Sequence, residues 1–357
     1  MLSYIIRRLL LLPITLVGTT LVVFLVMAMS PGGVGGNEMN DEGALKGKEA
    51  RAAAEARIKR YGLDRPLPVQ YCRWAGQFLP FGYDDGPNGS RRFHWARWPD
   101  LGESMSKGRR ISDLVAERLP VTLLLGLIAL PISHGIAIAT GIAAARRRGG
   151  VVDVGSAYLF MGLWSVPTIL AGVLMIGYLA NRQYVHLFPT NGLHDLKADA
   201  MPFLPTRTPD GWDRGWLFDT AWHLALPVAC LSYTGFAVLS RLVRGSMLES
   251  LAADFTRTAR AKGATESTVV YRHVFRNSLL PLITSSAGLI PGLLGGAIVV
   301  ERIFSIQGMG SLFIEAINAR DRDLILDQTL IVGGIGLLCY LLADILYVVA
   351  DPRVSYE

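Results

Sequence analysis

The chain has 357 residues, enough for two or three soluble domains, yet 51% of them are hydrophobic, only 18% are charged and the mean hydropathy is +0.36. Soluble folds cannot hide that much apolar surface, so the composition excludes a water-soluble enzyme and indicates an all-α, polytopic membrane protein. A net charge of +6 does not call for nucleic acid, because an excess of Lys and Arg on cytosolic loops gives the same sum.

The first apolar run, Ile5 to Met29, follows Arg7 and Arg8. Ala28 and Ser30 have the spacing of a cleavage site. The uninterrupted stretch from Leu9 to Met29 nonetheless exceeds the ~7–15 residue apolar core of a signal peptide, which favours a retained transmembrane helix over residues 1–30. Residues 31–119 are too polar for lipid and are expected on the extracytoplasmic side of the membrane. Within them KEARAAAEARIKRY, Lys48 to Tyr61, consists of helix formers, and Gly62 falls where a left-handed helix stop is expected. Pro66 and Pro68 then break the chain. Trp74, Phe78, Trp95 and Trp98 are set to pack in a small cap or lie at the membrane interface, and Asp84 to Ser90 reads as turns.

Five more spans are expected at about Val121 to Ala145, Val152 to Leu179, Ala221 to Ser240, Leu279 to Val300 and Leu324 to Ala350. Each is near or above the ~20 residues a tilted helix needs. These continuous runs do not alternate, which excludes a sheet barrel. Six crossings place both termini on one side. Arg146, Arg147 and Arg148 follow the second span, and Arg241, Arg244, Arg257, Arg260, Lys262, Arg272 and Arg276 lie between the fourth and fifth, against only Glu249, Asp254 and Glu266. The basic excess assigns these segments, and both termini, to the cytosol.

Signatures of catalysis are missing. Gly43 to Lys48 superficially resembles a phosphate-binding loop but lacks its spacing, the six histidines form no ligand pair, and Cys72, Cys230 and Cys339 are too scattered for a metal site or disulfide framework. No catalytic residue, metal or cofactor is expected, and the chain is not read as an enzyme. Inside the spans Asp344 and His134 are the ionisable residues that draw attention. A paired carboxylate and a satisfied packing histidine are the plain readings, a proton relay the sharper one. Pro167, Pro227, Pro281 and Pro291 are expected to interrupt spans, and Gly292, Gly295 and Gly296 to allow close backbone approach in the fifth.

The most informative stretch is SLAADFTRTARAKGATESTVVYRHVFRNSLLP, Ser250 to Pro281. Ser246 to Lys262 supports a helix, Gly263 supplies a stop, and Thr265 or Ser267 caps a second helix, on which Val270 and Val274, like Tyr271 and Phe275, share a face. A helix lying on lipid would account for the bases. It would not account for Ala253, Ala259 and Ala261 around a glycine turn, which instead suit a knob that another body approaches closely.

That stretch resembles the EAA motif of inner-membrane permeases of binding-protein-dependent ABC importers, in the dipeptide/oligopeptide branch. Phe255, Thr258, Ala259, Arg260, Ala261, Lys262 and Gly263 match the first half, and Arg272, His273, Arg276, Asn277, Leu279, Leu280 and Pro281 the second. Arg257 and Thr258 stand where the general motif has Glu-Ala, a departure typical of the peptide branch. IIRRLLLLPITL, YGLDRPLPVQY, ERIFSIQGMGSLFIEAI and DPRVSYE extend the likeness over nearly the whole chain. SPGG and FPTNGL are similar to Yej-type peptide and microcin C permeases.

The resemblance implies a type I ABC importer permease fold with six transmembrane helices in a bacterial inner membrane. It divides the chain into residues 1–30, 31–119 and a five-helix core over 120–357 with a cytosolic coupling segment at 246–278. It implies a second homologous permease subunit, two ATP-binding subunits that carry the ATPase activity, and an extracytoplasmic substrate-binding protein. Arg257, Thr258, Ala259, Arg260, Ala261, Lys262 and Gly263 would dock into the ATPase, with Arg260 and Lys262 pairing with its acids. The competing reading from the residues alone is a secondary transporter or channel without ATPase partners; a third is a membrane-anchored structural protein.

Overall fold

A computed structural model of the protein describes residues 2–30, 58–59, 61–85, 91–94, 98–208 and 211–350. The helices are α1 Leu2–Met29, α2 Leu67–Gly76, α3 Ile111–Arg146, α4 Val151–Ser165, α5 Thr168–Leu174, α6 Gly215–Ala252, α7 Asp254–Ala261, α8 Phe275–Ile303, α9 Met309–Asn318 and α10 Arg322–Ala350. Two small antiparallel hairpins pair β1 Gly82–Asp85 with β2 Arg91–His94, and β3 Thr206–Thr208 with β4 Gly211–Asp213. Asp84 and Asp85, read as turn residues, therefore lie in a strand. Most of the helix expected over Lys48 to Tyr61, and Trp95, lie outside the described residues. Its stop is present: Gly62 has φ +62°, and its N–H and that of Leu63 bond back to Lys59 O and Ile58 O.

Four described helices are long and apolar enough to cross a membrane, namely Ile5–Met29 of α1, α3, α6 and Arg322–Ile345 of α10. Helix α8 contains the run Leu279 to Val300, which has no acidic or basic side chain. Helix formation is the only way such runs can satisfy their own backbone polar groups in hydrocarbon.

The span expected over Val152 to Leu179 is not one straight helix: α4 and the segment Thr168–Ala180 meet at 92°. Val166 is extended (φ −83°, ψ 117°) because the ring of Pro167 disfavours helical geometry in the residue before it. Donors on α6 reach carbonyls at the break and at the start of α5. Tyr233 Oη donates to Val166 O at 2.7 Å and Cys230 Sγ to Thr168 O at 3.6 Å, both side chains being buried. Pro227 and Pro281 were expected to do the same, as was Pro291, yet all three lie within continuous helices. Tyr233→Phe should leave the Val166 carbonyl unsatisfied and cost about 1–3 kcal/mol, read as a lower melting temperature of the detergent-purified protein; an unchanged melting temperature would show that the bond does not hold the bend.

The chain divides into two compact units. One comprises Met1–Ile5, Val121–Ser311 and Gly336–Glu357. Its hub is α6, which packs on α4, α5 and α8. Asp153 in the first turn of α4 pairs with Arg244 of α6, Nη2 to Oδ2 at 2.8 Å. At the far end of the bent segment, Ala180 and Asn181 line the same cavity as Trp222 and His223 of α6. Residues 222 and 244 are separated by about 33 Å along a helix, so the bent segment runs the thickness of a hydrocarbon core. His134 is a satisfied packing residue: Nδ1 lies 2.8 Å from Leu130 O and Nε2 2.6 Å from Ser286 Oγ. Asp344 is half-buried and engaged, not free.

The other unit comprises Ile6–Pro120 and Leu312–Ile335. Trp74 and Phe78 pack in an aromatic cluster with Phe24 and Tyr71; Trp98 is exposed. Trp74 Nε1 donates to the buried carboxylate of Asp327 at 2.7 Å. Asp321 accepts from Ser104 Oγ at 2.6 Å and from the Ser106 N–H and hydroxyl at 2.9 Å, while Arg322 reaches Gln70 Oε1 at 2.8 Å. Asp321 and Arg322 are held by specific donors and acceptors, as buried polar groups usually are, whereas Asp327 Oδ2 has no hydrogen-bond partner among the described residues.

Candidate functional site: a basic elbow

Between α6 and α8 the chain builds a short, sharply turned elbow. Its first helix is shorter than the expected Ser246–Lys262. Helix α6 ends at Ala252, Ala253 is extended (φ −71°, ψ 153°), and α7 restarts at Asp254. Thr256, fully buried, ties the two helices by donating to Ser250 O at 2.8 Å. The second helix is not separate. A helical turn Glu266–Thr268, capped by Thr265 Oγ1 accepting from Thr268 N–H, passes through a π-helix, Val269–Val274, directly into α8. The wider π turn also moves the apolar face: Val269, Val270 and Val274 are buried, whereas Tyr271 is exposed.

The turn at Gly263 is a complete Schellman stop. Gly263 N–H bonds to Arg260 O at 2.9 Å and Ala264 N–H to Ala259 O at 3.1 Å, with Gly263 at φ +81°. Glycine adopts that backbone angle without the strain an L-side chain would bring. A Cβ at Gly263 would meet nothing within 4 Å in this chain, so the tip projects into open space.

Burial separates root from tip. The root belongs to a core of Ala137, Ile142 and Ala145 from α3, Leu239, Val243 and Met247 from α6, the three valines and Leu282 of α8, with Ala259 and Ala264 packed on it. Of the residues expected to dock, Ala259 is half-buried, whereas Arg257, Thr258, Arg260, Ala261, Lys262 and Gly263 are exposed. Thr258 Oγ1 bonds to Asp254 O within α7. Arg257 lies 3.6 Å from Asp254, both side chains open to solvent.

Arg260, expected to pair with acids of a partner, is paired within the elbow in this single chain, Nη2 to Glu266 Oε1 at 2.8 Å and Nε to Oε2 at 3.1 Å. This fork crosses the glycine turn and braces it. The pairing raises the pKa of Arg260 and lowers that of Glu266. A depressed carboxyl contributes stability above its unfolded pKa and loses it as pH falls through the folded value. Both groups are largely solvent-exposed, so Glu266→Gln should cost less than about 1 kcal/mol at pH 7, with the difference from wild type vanishing in acid. A loss that persists below pH 4 in a melting series would contradict the brace.

Arg146, at the end of α3, lies over the ring of Tyr271 at 6.0 Å, a cation–π contact that puts both basic connections at one end of the unit. Among the described residues no group of three His, Cys, Asp or Glu side chains could hold a metal. The sequence reading missed Thr256, whose burial has no periodic signal, and the Asp153–Arg244 pair, whose partners are 91 residues apart.

Comparison with known proteins identifies the family of the chain. Residues 137–356 match the family described as binding-protein-dependent transport system inner membrane component, and residues 1–126 match the N-terminal component of such membrane proteins. The chain is 34% identical over 358 residues to the oligopeptide transport system permease protein AppB of Bacillus subtilis, with all of both chains covered. It is 33% identical to a putative peptide permease protein of Brucella suis and 29% identical to the inner membrane ABC transporter permease protein YejB of Escherichia coli O157:H7, with 99% of each chain covered in both cases. A basic elbow on a helical membrane body, together with matches that span the chain end to end, establishes that this protein belongs to the inner-membrane permease family of binding-protein-dependent transport systems.

Proposed function

We propose that the chain is one half of the translocation pathway of an ATP-driven importer of peptides or peptide-like solutes, and that residues 246–278 are its coupling segment. The peptide assignment rests on the relatives, which are named as oligopeptide and peptide permeases. In this reading a second homologous permease subunit completes the pathway, two ATP-binding subunits dock beneath it and carry the ATPase activity, and a binding protein delivers solute outside. Residues 31–119 face that outer compartment and both termini lie in the cytosol. Six crossings follow if the bent segment of α4 and α5 counts as one.

The observation that carries the coupling role is the contrast between a root with three fully buried valines and an exposed tip around Gly263. A joint that transmits motion must be stiff where it joins its own subunit and bare where it meets another. Closure of the ATP-binding pair would move α7 as a rigid body and tilt α6 and α8, switching the pathway between inward-facing and outward-facing states.

The test is uptake into proteoliposomes holding the purified complex and its binding protein. Uptake should require internal ATP and survive collapse of the proton gradient, and the preparation should contain a second permease and ATP-binding subunits. Uptake that persists without ATP and collapses with the gradient would overturn the assignment in favour of a secondary carrier.

A further inference from the structure

The end of α6 remote from the elbow carries a cavity of about 900 Å³ that the coupling role does not use. It is lined by the π-helix Met175–Ala180, the following segment to Leu196, and Arg214, Asp219, Trp222 and His223. The volume suits a small organic solute. Two features mark it as more than a gap between loops. A π-helix forms part of its wall, and His186, on its rim, holds a left-handed backbone at φ +47° without being glycine.

The charges in this cavity are unevenly committed. Asp219 Oδ2 accepts from the Asp195 N–H at 2.7 Å and lies 3.5 Å from His223 Nδ1, and Asp195 Oδ1 accepts from the Lys197 N–H at 3.0 Å. Both carboxylates are thus served by their own chain. Arg182 and Arg214 are exposed, and among the described residues neither guanidinium makes a hydrogen bond or ion pair. Beside them Phe188 and Trp222 stack at 4.6 Å, offering an apolar wall.

We propose that this cavity is a carboxylate-receiving vestibule: Arg182 and Arg214 take the free carboxylate of a peptide-like solute, and the Phe188–Trp222 stack takes an adjacent apolar side chain. A guanidinium is suited to a planar carboxylate through paired N–H donors. The two aspartates in the same cavity disfavour a multiply charged anion such as phosphate and tolerate a zwitterion. This inference rests on the importer reading for its solute class, but its site lies about 45 Å along α6 from the elbow.

The test uses the complete detergent-purified importer without its binding protein, titrated by ligand-observed NMR with the tripeptide Ala-Phe-Ala and with its C-terminal amide. The free acid should bind about tenfold or more tightly than the amide, and Arg182→Gln with Arg214→Gln should abolish that preference while leaving weak amide binding intact. Equal binding of acid and amide by the unaltered importer, no binding of either, or a preference that survives the double variant would overturn the proposal. Binding-protein-stimulated ATP hydrolysis is measured on the same preparations. Its absence from the unaltered complex would count against the importer reading, not against the vestibule, which the acid-to-amide ratio alone decides.

Discussion

Replacing Gly263 by aspartate is expected to lower uptake by about 100-fold or more, the equivalent of losing roughly 2.7 kcal/mol from the docked joint, while membrane insertion and protein level stay normal. The φ of +81° at this position strains any L-residue by about 1–2 kcal/mol, and aspartate is among those that bear it best. No atom of this chain lies within 4 Å of the added Cβ, so the elbow itself can keep its shape. The substitution acts on what approaches from outside, by placing bulk and negative charge on a surface that presents Arg257 and Lys262. Gly263→Ala, with the strain and less of the bulk, should fall between. Normal uptake together with normal co-purification of ATP-binding subunits in the aspartate variant would remove the docking role.

Replacing Glu301 by alanine is expected to have the largest effect on stability. Glu301 is fully buried at the end of α8. Its Oε1 accepts from Thr122 Oγ1 at 2.6 Å and its Oε2 from Ser311 N–H at 2.8 Å, and Thr122 Oγ1 in turn accepts from Met309 N–H at 2.8 Å. One carboxylate therefore anchors the start of α9 to α3 and α8. Gly308 packs so close to it that a Cβ there would overlap the carboxyl group. Truncation would leave buried donors without acceptors and a void, a loss of about 3–5 kcal/mol, seen as a sharply lower melting temperature and less monodisperse protein in detergent. Glu301→Gln keeps the shape and should lose less. An alanine variant as stable as wild type would show that this node does not organise the segment.

The two variants separate two kinds of legibility. The Schellman turn at Gly263 and the apolar spans were readable because each is written locally: glycine after a helix-forming run, or twenty apolar residues in a row. Glu301, Asp321, Asp327 and Arg322 were not, although all sit in or beside apolar runs. Their partners Thr122, Ser104, Trp74 and Gln70 lie between 179 and 253 residues away in sequence, and no period links a buried charge to a distant donor. The break at Pro167 was expected along with breaks at Pro227, Pro281 and Pro291, and only the first occurred. What distinguishes it is an extended Val166 whose carbonyl Tyr233 receives, a tertiary contact that supersedes the local signal. The same holds for the elbow. Its residues and its glycine were identified from sequence, whereas the interruption at Ala253, the π-helix and the commitment of Arg260 to Glu266 depend on how the segment packs on α3 and α6.

The account stands on a rigid elbow that touches an ATP-binding partner on the cytosolic side. The most direct measurement is site-specific cross-linking in inverted membrane vesicles with a cysteine in place of Lys262, which is exposed at the tip, in a chain whose free Cys72, Cys230 and Cys339 are replaced by serine. The account predicts that the thiol is reached by a membrane-impermeant reagent in inverted but not right-side-out vesicles, and that a short bifunctional linker joins it to an ATP-binding subunit in a yield that changes on adding ATP. Labelling from the outer face, or cross-links that never include an ATP-binding subunit, would contradict it.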